Sequence, residues 1–134
     1  MKVVFDSNIF ISALVFPGGQ AELALFRILD GTDILVLSKT ILDEVLVTLA
    51  RKFSRDSEAL SQTAVLLTEM AEMVQPARRL RVFEDDPDNR VLECAEEGQA
   101  ACIVTGDKVM LQLKKYGNIR LISLRKYLTP GIIT

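Results

Sequence analysis

Residues 2–8 read Lys-Val-Val-Phe-Asp-Ser-Asn, an apolar run that ends in an acid. A second run of the same kind, residues 102–107, reads Cys-Ile-Val-Thr-Gly-Asp. Short apolar runs of this composition predict strands that are buried on both faces, as in a parallel sheet. In an open parallel sheet the binding crevice lies beyond the carboxyl ends of the strands. Asp6 and Asp107 are therefore predicted to lie near each other at one edge of a central sheet.

The remaining segments predict a regular alternation of strands and helices. Strands are predicted at residues 34–37 and 119–122 and, weakly, at the basic segment 78–83. Apolar residues at helical spacing predict helices over residues 20–30, 38–52, 56–74, 87–97 and 107–116. A further short helix is predicted at the end of the chain. Strands that alternate with helices imply right-handed crossovers between parallel neighbours. We therefore expect an α/β fold of three α/β/α layers around a central parallel sheet of about five strands.

Composition limits the size and class of the protein. The chain has 134 residues, 49% of them hydrophobic, which suits a single domain over residues 1–134. It shows no signal-peptide pattern and no apolar stretch of membrane-spanning length. Its two cysteines, Cys94 and Cys102, fall inside predicted elements, as is typical of reduced thiols in a core. We therefore expect a cytoplasmic protein that does not enter a membrane.

The chain contains no histidine, and this absence excludes several mechanisms. Neither a Ser-His-Asp nor a Cys-His nucleophile can exist, and paired histidines cannot act as acid and base on RNA. Two cysteines without histidine cannot complete a four-ligand zinc site. Chemistry here must depend on carboxylates, a bound metal or lysine. Because the net charge is −2, any contact with nucleic acid must come from a local basic patch.

Two further acids are predicted to reach the edge that holds Asp6 and Asp107. Glu44 lies six residues after Ser38, which is a good N-cap for a helix that follows the strand at 34–37. Asp88 lies at the start of the helix before the strand at residue 102. Several carboxylates at one place repel each other, and a divalent cation relieves the repulsion. Polar side chains beside these acids could support them: Ser7, Asn8 and Thr105.

Each acid also has a purely structural explanation. Asp88 and Asp107 each stand where an acid can cap a helix, and Glu44 could be an exposed helix residue. Asp6 is harder to explain in this way, because a buried carboxylate without a partner is costly. The coincidence of all four acids at one predicted edge favours a shared site.

These motifs resemble those of the PIN-domain family of metal-dependent nucleases, in particular its VapC-like branch, the toxins of bacterial and archaeal toxin–antitoxin pairs. The resemblance covers nearly the whole chain: Asp6-Ser7-Asn8 is similar to the opening D-[ST]-N, and Ser38 with Glu44, Asp88 before Val91, and Thr105-Gly106-Asp107 follow in order. It implies that four acids bind metal and act in catalysis: Asp6, Glu44, Asp88 and Asp107. It also implies five supporting residues: Ser7, Asn8, Ser38, Asp85 and Thr105.

One segment departs from the family pattern. Many relatives read D-P-D-D-N before the third acid, whereas this chain reads Asp85-Asp86-Pro87-Asp88-Asn89. Alignment on Asn89 and the following helix selects Asp88 and gives Asp85 an outer position. A shift in register would select Asp86 instead.

The resemblance implies a ribonuclease that uses one or two Mg²⁺ or Mn²⁺ ions and leaves a 5′-phosphate and a 3′-hydroxyl. It also implies RNA as substrate, an antitoxin protein as a possible partner, and a homodimer. Two alternatives remain open at this point. One is a non-catalytic module that keeps the fold and docks an antitoxin or RNA. The other is a phosphohydrolase of the haloacid-dehalogenase type, which requires a second aspartate where this chain has Asn8.

Overall fold

The computed structural model describes residues 1–129, in which a six-stranded sheet is flanked by helices. The strands of this part of the chain are β1 (Lys2–Phe5), β2 (Ile34–Ser38), β3 (Ala71–Val74), β4 (Cys102–Val104), β5 (Lys115–Tyr116) and β6 (Ile119–Ile122). Its helices are α1 (Ser7–Val15), α2 (Gln20–Leu29), α3 (Lys39–Phe53), α4 (Ser57–Met70), α5 (Asp86–Glu97), α6 (Lys108–Leu113) and α7 (Leu124–Leu128). The expected α/β/α architecture is confirmed.

The two apolar runs that decide the fold lie side by side at the centre of the sheet. The strand order is β3-β2-β1-β4-β6-β5, and all neighbours are parallel except β5 and β6. Val3 pairs with Leu35 of β2 on one side and with Cys102 of β4 on the other. Burial on both faces explains why these strands are continuously apolar. The sheet thus has five parallel strands, four of them where expected, with β3 in place of the strand expected at residues 78–83 and a short antiparallel strand added at one edge.

The prediction of a helix over residues 56–74 is wrong for the last turn. Helix α4 ends at Met70, and β3 follows directly. All four residues of β3 pair with β2. Pairing with a buried strand satisfies the backbone groups of β3, and it outweighs the weak helical preference of the sequence.

The strand expected over residues 78–83 does not form. Its backbone is held by side chains of α5, because Leu80 N donates to Glu93 Oε2 (2.7 Å) and Phe83 N donates to Asn89 Oδ1 (2.7 Å). Leu80 and Phe83 of this segment are buried and Val82 is exposed, and no neighbouring strand is needed to satisfy the amides of Leu80 and Phe83.

The helix expected over residues 107–116 is also too long. It ends at Leu113 because Lys114 adopts a left-handed conformation (φ 63°), after which β5 turns back to pair with β6. The left-handed conformation stops the α-helical hydrogen-bonding pattern.

Helix α5 packs directly against the centre of the sheet, where both cysteines are buried as free thiols. Its C-cap is Gly98, and a Cβ atom there would lie 2.3 Å from Val36 Cγ1 of β2. Glycine therefore permits the close approach that fixes α5, and with it the acids of its first turn, against the sheet.

Within residues 1–129, no single helix is long and apolar enough to cross a membrane. Helices α1 and α2 together have the length and composition for one span, but they are bent by 102° at the break between them.

Candidate active site

Asp6 and Asp107 meet through the hydroxyl group of Thr105. Asp6 follows β1 and Asp107 follows the neighbouring strand β4, so both lie at the carboxyl edge of the sheet. Thr105 Oγ1 donates a hydrogen bond to Asp6 Oδ2 (2.8 Å) and accepts one from Asp107 N (3.0 Å). The structure therefore brings together the two acids that the strand ends predict.

Asp6 is buried, with only 6% of its surface exposed, and it is the N-cap of α1. Its Oδ1 accepts a hydrogen bond from Ser7 N (2.7 Å). Burial raises the pKa of Asp6 above its ordinary value, and the charge of Asp107 raises it further. Hydrogen bonds from Thr105 and Ser7 act in the opposite direction without cancelling the rise. Asp6 is thus a carboxyl group whose charge is incompletely compensated.

Asp107 is both a helix cap and a member of the acid group. Its Oδ1 accepts hydrogen bonds from Val109 N (2.8 Å) and Met110 N (3.1 Å), which caps α6. Its other carboxyl oxygen accepts no hydrogen bond from residues 1–129, and its charge raises the pKa of both Asp6 and Asp88. The structural and functional explanations for this residue are therefore compatible.

Asp88 has the most perturbed carboxyl group of the site. It lies in the first turn of α5, where Asp85 and not Asp88 occupies the N-cap position, and only 7% of it is exposed. Its pKa is raised to about 7, first by burial and then by the charges of Asp107, Asp85, Asp6 and Glu44. No hydrogen bond from the described chain reaches its carboxyl oxygens. The capping explanation is wrong for Asp88.

The amide of Asn89 positions this acid. Asn89 Oδ1 accepts hydrogen bonds from Val82 N (3.0 Å) and Phe83 N (2.7 Å), and its Nδ2 donates to Phe83 O (2.8 Å). These bonds fasten the segment before α5 to its first turn. Sequence reasoning used Asn89 only to align the motif. The signal for its role was an asparagine, which can accept and donate at once, beside a helix start.

Asp86, the alternative to Asp88, is directed elsewhere. It is exposed, and its Oδ2 lies 3.3 Å from Arg90 Nη1 in an ion pair. Its charge is not among the causes that shift the pKa of Asp6, Glu44 or Asp88. The charges of the other acids thus act on Asp88, whereas the carboxylate of Asp86 is paired with Arg90.

Glu44 joins the group from α3. It is half-buried, and its pKa is raised by burial and by the charges of Asp6 and Asp85, while a hydrogen bond from the Ser7 side chain lowers it. Asp85 is exposed but close enough to act on both Glu44 and Asp88, as its predicted outer position implies.

The predicted supporting residues divide into two groups. Ser7 and Thr105 contact the acids directly, as described above. Ser38 is instead a buried cap of α3, whose Oγ accepts from Ile41 N (3.3 Å), and Asn8 is exposed. No contact described for residues 1–129 joins Ser38 or Asn8 to the acids.

The acid group suits a hydrated divalent cation in its chemistry, though not as a closed cage of ligands. Carboxylate oxygens are the preferred ligands of Mg²⁺ and Mn²⁺. Burial is the main cause of the three raised pKa values, and the mutual repulsion that adds to them would be relieved by a cation. Within residues 1–129, however, no three His, Cys, Asp or Glu side chains have the spacing of a metal cluster. Mg²⁺ commonly binds through one or two carboxylates and keeps several waters, and this donor set fits that mode.

A cleft of about 390 Å³ adjoins Glu44. Two arginines, Arg79 and Arg90, line it together with Thr40 and Asp86. Arg90 is largely buried and binds Glu93 Oε2 (2.9 Å), so it mainly fixes α5 to the preceding segment. Arg79 is exposed and brings a positive charge next to the acids. Arg90 was not predicted from the sequence. The available signal was its position directly after Asp88-Asn89.

An open α/β sheet with acids gathered beyond its carboxyl edge defines the class of this protein, and comparison with known proteins gives the family. Residues 2–109 match the model of the PIN domain. A relative, the uncharacterized protein MJ1680 of Methanocaldococcus jannaschii, is 30% identical over 132 residues, which is 93% of this chain and 84% of the relative. The chain belongs to the PIN domain family.

Two solved structures share the fold. The structure of VapBC2 from Rickettsia felis bound to a DNA fragment from their promoter superposes with a TM-score of 0.64 at 14% identity, covering 92% of this chain and 98% of the other. The structure of VapBC-1 from nontypeable Haemophilus influenzae gives 0.65 at 17% identity, covering 94% and 100%. At this level of identity the likeness concerns the fold alone.

Proposed function

We propose that this protein is a metal-dependent endoribonuclease that hydrolyses phosphodiester bonds of RNA with Mg²⁺ or Mn²⁺. The observation that carries the proposal is the convergence of acids from four separate elements. Burial, and then the charges of the other acids, raise the pKa of Asp88 to about 7. Membership of the PIN domain family supports it. The four acids proposed as catalytic and metal-binding are Asp6, Glu44, Asp88 and Asp107.

In this proposal Asp6 and Asp88 hold the cation, because both are buried and incompletely compensated. A bound divalent ion would activate a water and stabilise the charge that develops on the scissile phosphate. Thr105 keeps Asp6 Oδ2 oriented, and Asn89 keeps the first turn of α5 in place. Glu44 and Asp107 complete the negative field from either side of Asp6. Since the chain has no histidine, the leaving oxygen cannot receive its proton from an imidazole group.

The decisive experiment compares two aspartate substitutions. Asp6→Asn should reduce metal-dependent cleavage of a labelled RNA by on the order of 10³-fold, because it removes a charge that holds the cation. Asp30→Asn changes charge by the same amount in the exposed turn before β2, at the opposite edge of the sheet, and should keep nearly full activity. Cleavage is measured with Mn²⁺ and with EDTA, and circular dichroism checks the fold. Full activity in Asp6→Asn protein would reject the proposal.

A non-catalytic binding module is the second candidate. One observation favours it: no metal cluster is preformed in the described chain. Calorimetric titration with Mn²⁺ separates the two. Saturable binding that is lost in Asp6→Asn supports the nuclease, whereas absence of binding together with absence of cleavage supports the module.

The biological setting that we propose is that of a toxin in a toxin–antitoxin pair, in the cytoplasm and as a homodimer. The similar folds of the two VapBC structures support an antitoxin partner. Light scattering tests the dimer. Co-expression with the product of an adjacent small reading frame, followed by purification of a complex, tests the antitoxin.

A further inference from the structure

A second cleft, of about 600 Å³, lies between α6, β5, β6 and α7. Four cations line it, and its lining includes no acid: Lys114, Lys115, Arg120 and Lys126. All four are exposed, and none forms an ion pair with an acid of residues 1–129. In a chain whose net charge is −2, this concentration of positive charge is a local feature and does not reflect the composition as a whole.

The backbone places two of these cations directly opposite each other. Lys115 of β5 and Arg120 of β6 are register partners in the antiparallel pair. Like charges at directly opposed positions destabilise a sheet. A bound anion would relieve this repulsion, as a cation would relieve that of the acids.

The cleft is connected to the carboxylate site through the sheet. Its lining includes Ile122 and Ser123, at the carboxyl end of β6. Ile122 O accepts a hydrogen bond from Thr105 N (3.0 Å), and the Thr105 hydroxyl binds Asp6. One end of the basic cleft therefore adjoins the strand end that leads into the acid group, and the cleft extends from there along β6 to Arg120, the register partner of Cys102 at the start of β4.

We propose that this basic cleft binds the phosphodiester backbone of single-stranded RNA and leads it to the carboxylate site, an inference that rests on the proposed function. Phosphates would contact the four cations, and bases would lie against the partly exposed aliphatic side chain of Leu111. A concave site of this kind accepts one strand, whereas a duplex presents its phosphates on a rigid convex surface. Without aromatic side chains in the lining for bases to stack on, binding should depend on salt and show little base preference.

The test measures RNA binding in the absence of cleavage. The affinity of the full chain for a fluorescent single-stranded RNA is determined by anisotropy in EDTA over a series of salt concentrations. The double variant Lys115→Gln/Arg120→Gln should bind about tenfold more weakly, the scale expected from losing two exposed ion pairs. Its slope of log affinity against log salt should decrease by about 1.4, since each phosphate contact on a single strand contributes about 0.7.

A matched control removes the same charge elsewhere. Arg51→Gln/Lys52→Gln changes two exposed cations in the last turn of α3, which do not line the cleft. It should retain at least most of the affinity. Thermal unfolding checks the folding of both variants, and the Lys115/Arg120 variant should be no less stable than the parent because a repulsive pair is removed.

The outcomes separate this inference from the proposed function. Unchanged affinity in the Lys115/Arg120 variant, equal loss in both double variants, or tighter binding of duplex DNA than of single-stranded RNA would overturn the cleft assignment even if the protein cleaves RNA. A selective loss of affinity in a protein that cleaves no RNA would support the cleft and reject the nuclease. If both proposals hold, the variant should raise KM for RNA cleavage and leave kcat nearly unchanged, because only substrate binding is weakened.

Discussion

The two edges of the sheet each bury an aspartate, and the two aspartates differ in how their charge is balanced. Asp33, before β2 at the amino edge, is 6% exposed, the same fraction as Asp6 at the carboxyl edge. Asp33 accepts hydrogen bonds from Tyr127 Oη (2.6 Å), the N-terminal ammonium (3.1 Å) and Arg27 Nε (3.1 Å). Burial alone would raise its pKa, but these donors outweigh burial and lower it. The pKa of Asp6 is raised.

The comparison shows that burial alone does not distinguish a structural acid from a functional one. At the amino edge the protein supplies two positive charges and a hydroxyl to one carboxylate, so the charge of Asp33 is balanced within the protein. At the carboxyl edge it supplies more acids, and their charges add to the effect of burial, so that the pKa of Asp88 is raised to about 7. A group of acids that the folded chain leaves repulsive is suited to a partner from solution.

The largest stability effect expected from this contrast is that of Asp33→Asn. The substitution leaves two cationic groups facing a neutral amide, and breaking a partly buried ion network of this kind should destabilise the protein by about 3 kcal/mol. Asp6→Asn, measured in EDTA, should cost far less or should stabilise, because it removes a charge that burial penalises. Urea denaturation of both variants tests the comparison, and equal losses of stability would contradict it.

A smaller effect is expected from metal binding. Mn²⁺ at about ten times its dissociation constant should stabilise the parent protein by about 1.4 kcal/mol, because the ion binds the folded acids only. The Asp6→Asn protein should show little of this stabilisation, whereas a folded variant of the amino edge, Tyr127→Phe, should retain it. Thermal unfolding with and without Mn²⁺ provides the measurement. Equal stabilisation of the parent and Asp6→Asn would place the ion elsewhere.

A third expected effect is a change in how stability varies with pH. The pKa of Asp88 is about 7 in the folded protein and 3.8 in the unfolded reference, so between these values the folded state retains a proton that the unfolded state has lost. Without metal, the free energy of unfolding should therefore decrease as pH rises from 3.8 to about 7, and Asp88→Asn should flatten this decrease. Asp33 has the opposite sign: its lowered pKa contributes stability that is lost as pH falls below 3.8.

Urea denaturation in EDTA at a series of pH values measures this effect. A slope between pH 3.8 and 7 that is the same in the parent and in Asp88→Asn would show that Asp88 is not the group responsible.

The centre of the fold could be predicted from the sequence because burial there is unambiguous. The strands beginning at Lys2 and Cys102 are buried and largely apolar, and each is followed by a polar residue that marks the sheet edge. The edge strands could not be predicted in the same way. Residues 71–74 and 115–116 have no strong strand preference of their own, and only pairing with β2 and β6 determines their conformation.

The candidate site could be predicted in its members more readily than in its supports. The positions of Asp6 and Asp107 follow from strand ends, and that of Asp88 from the start of a helix. The separate direction of Asp86, the fastening of the loop by Asn89, and the capping role of Ser38 depend on contacts between distant segments. Such contacts leave no periodic pattern in a single sequence. The opposite pKa shifts of Asp33 and Asp6 also depend on such contacts.

The hydroxyl group of Thr105 has a single proton, so it can donate only one of the two hydrogen bonds that link β1 to α6. The proton goes to Asp6 Oδ2, so the oxygen of Thr105 is left to receive the amide of Asp107. Any displacement of the backbone at the start of α6 must therefore carry the hydroxyl with it and alter the orientation of the carboxylate at the end of β1. One hydroxyl group thus ties the orientation of the Asp6 carboxylate to the position of the Asp107 backbone.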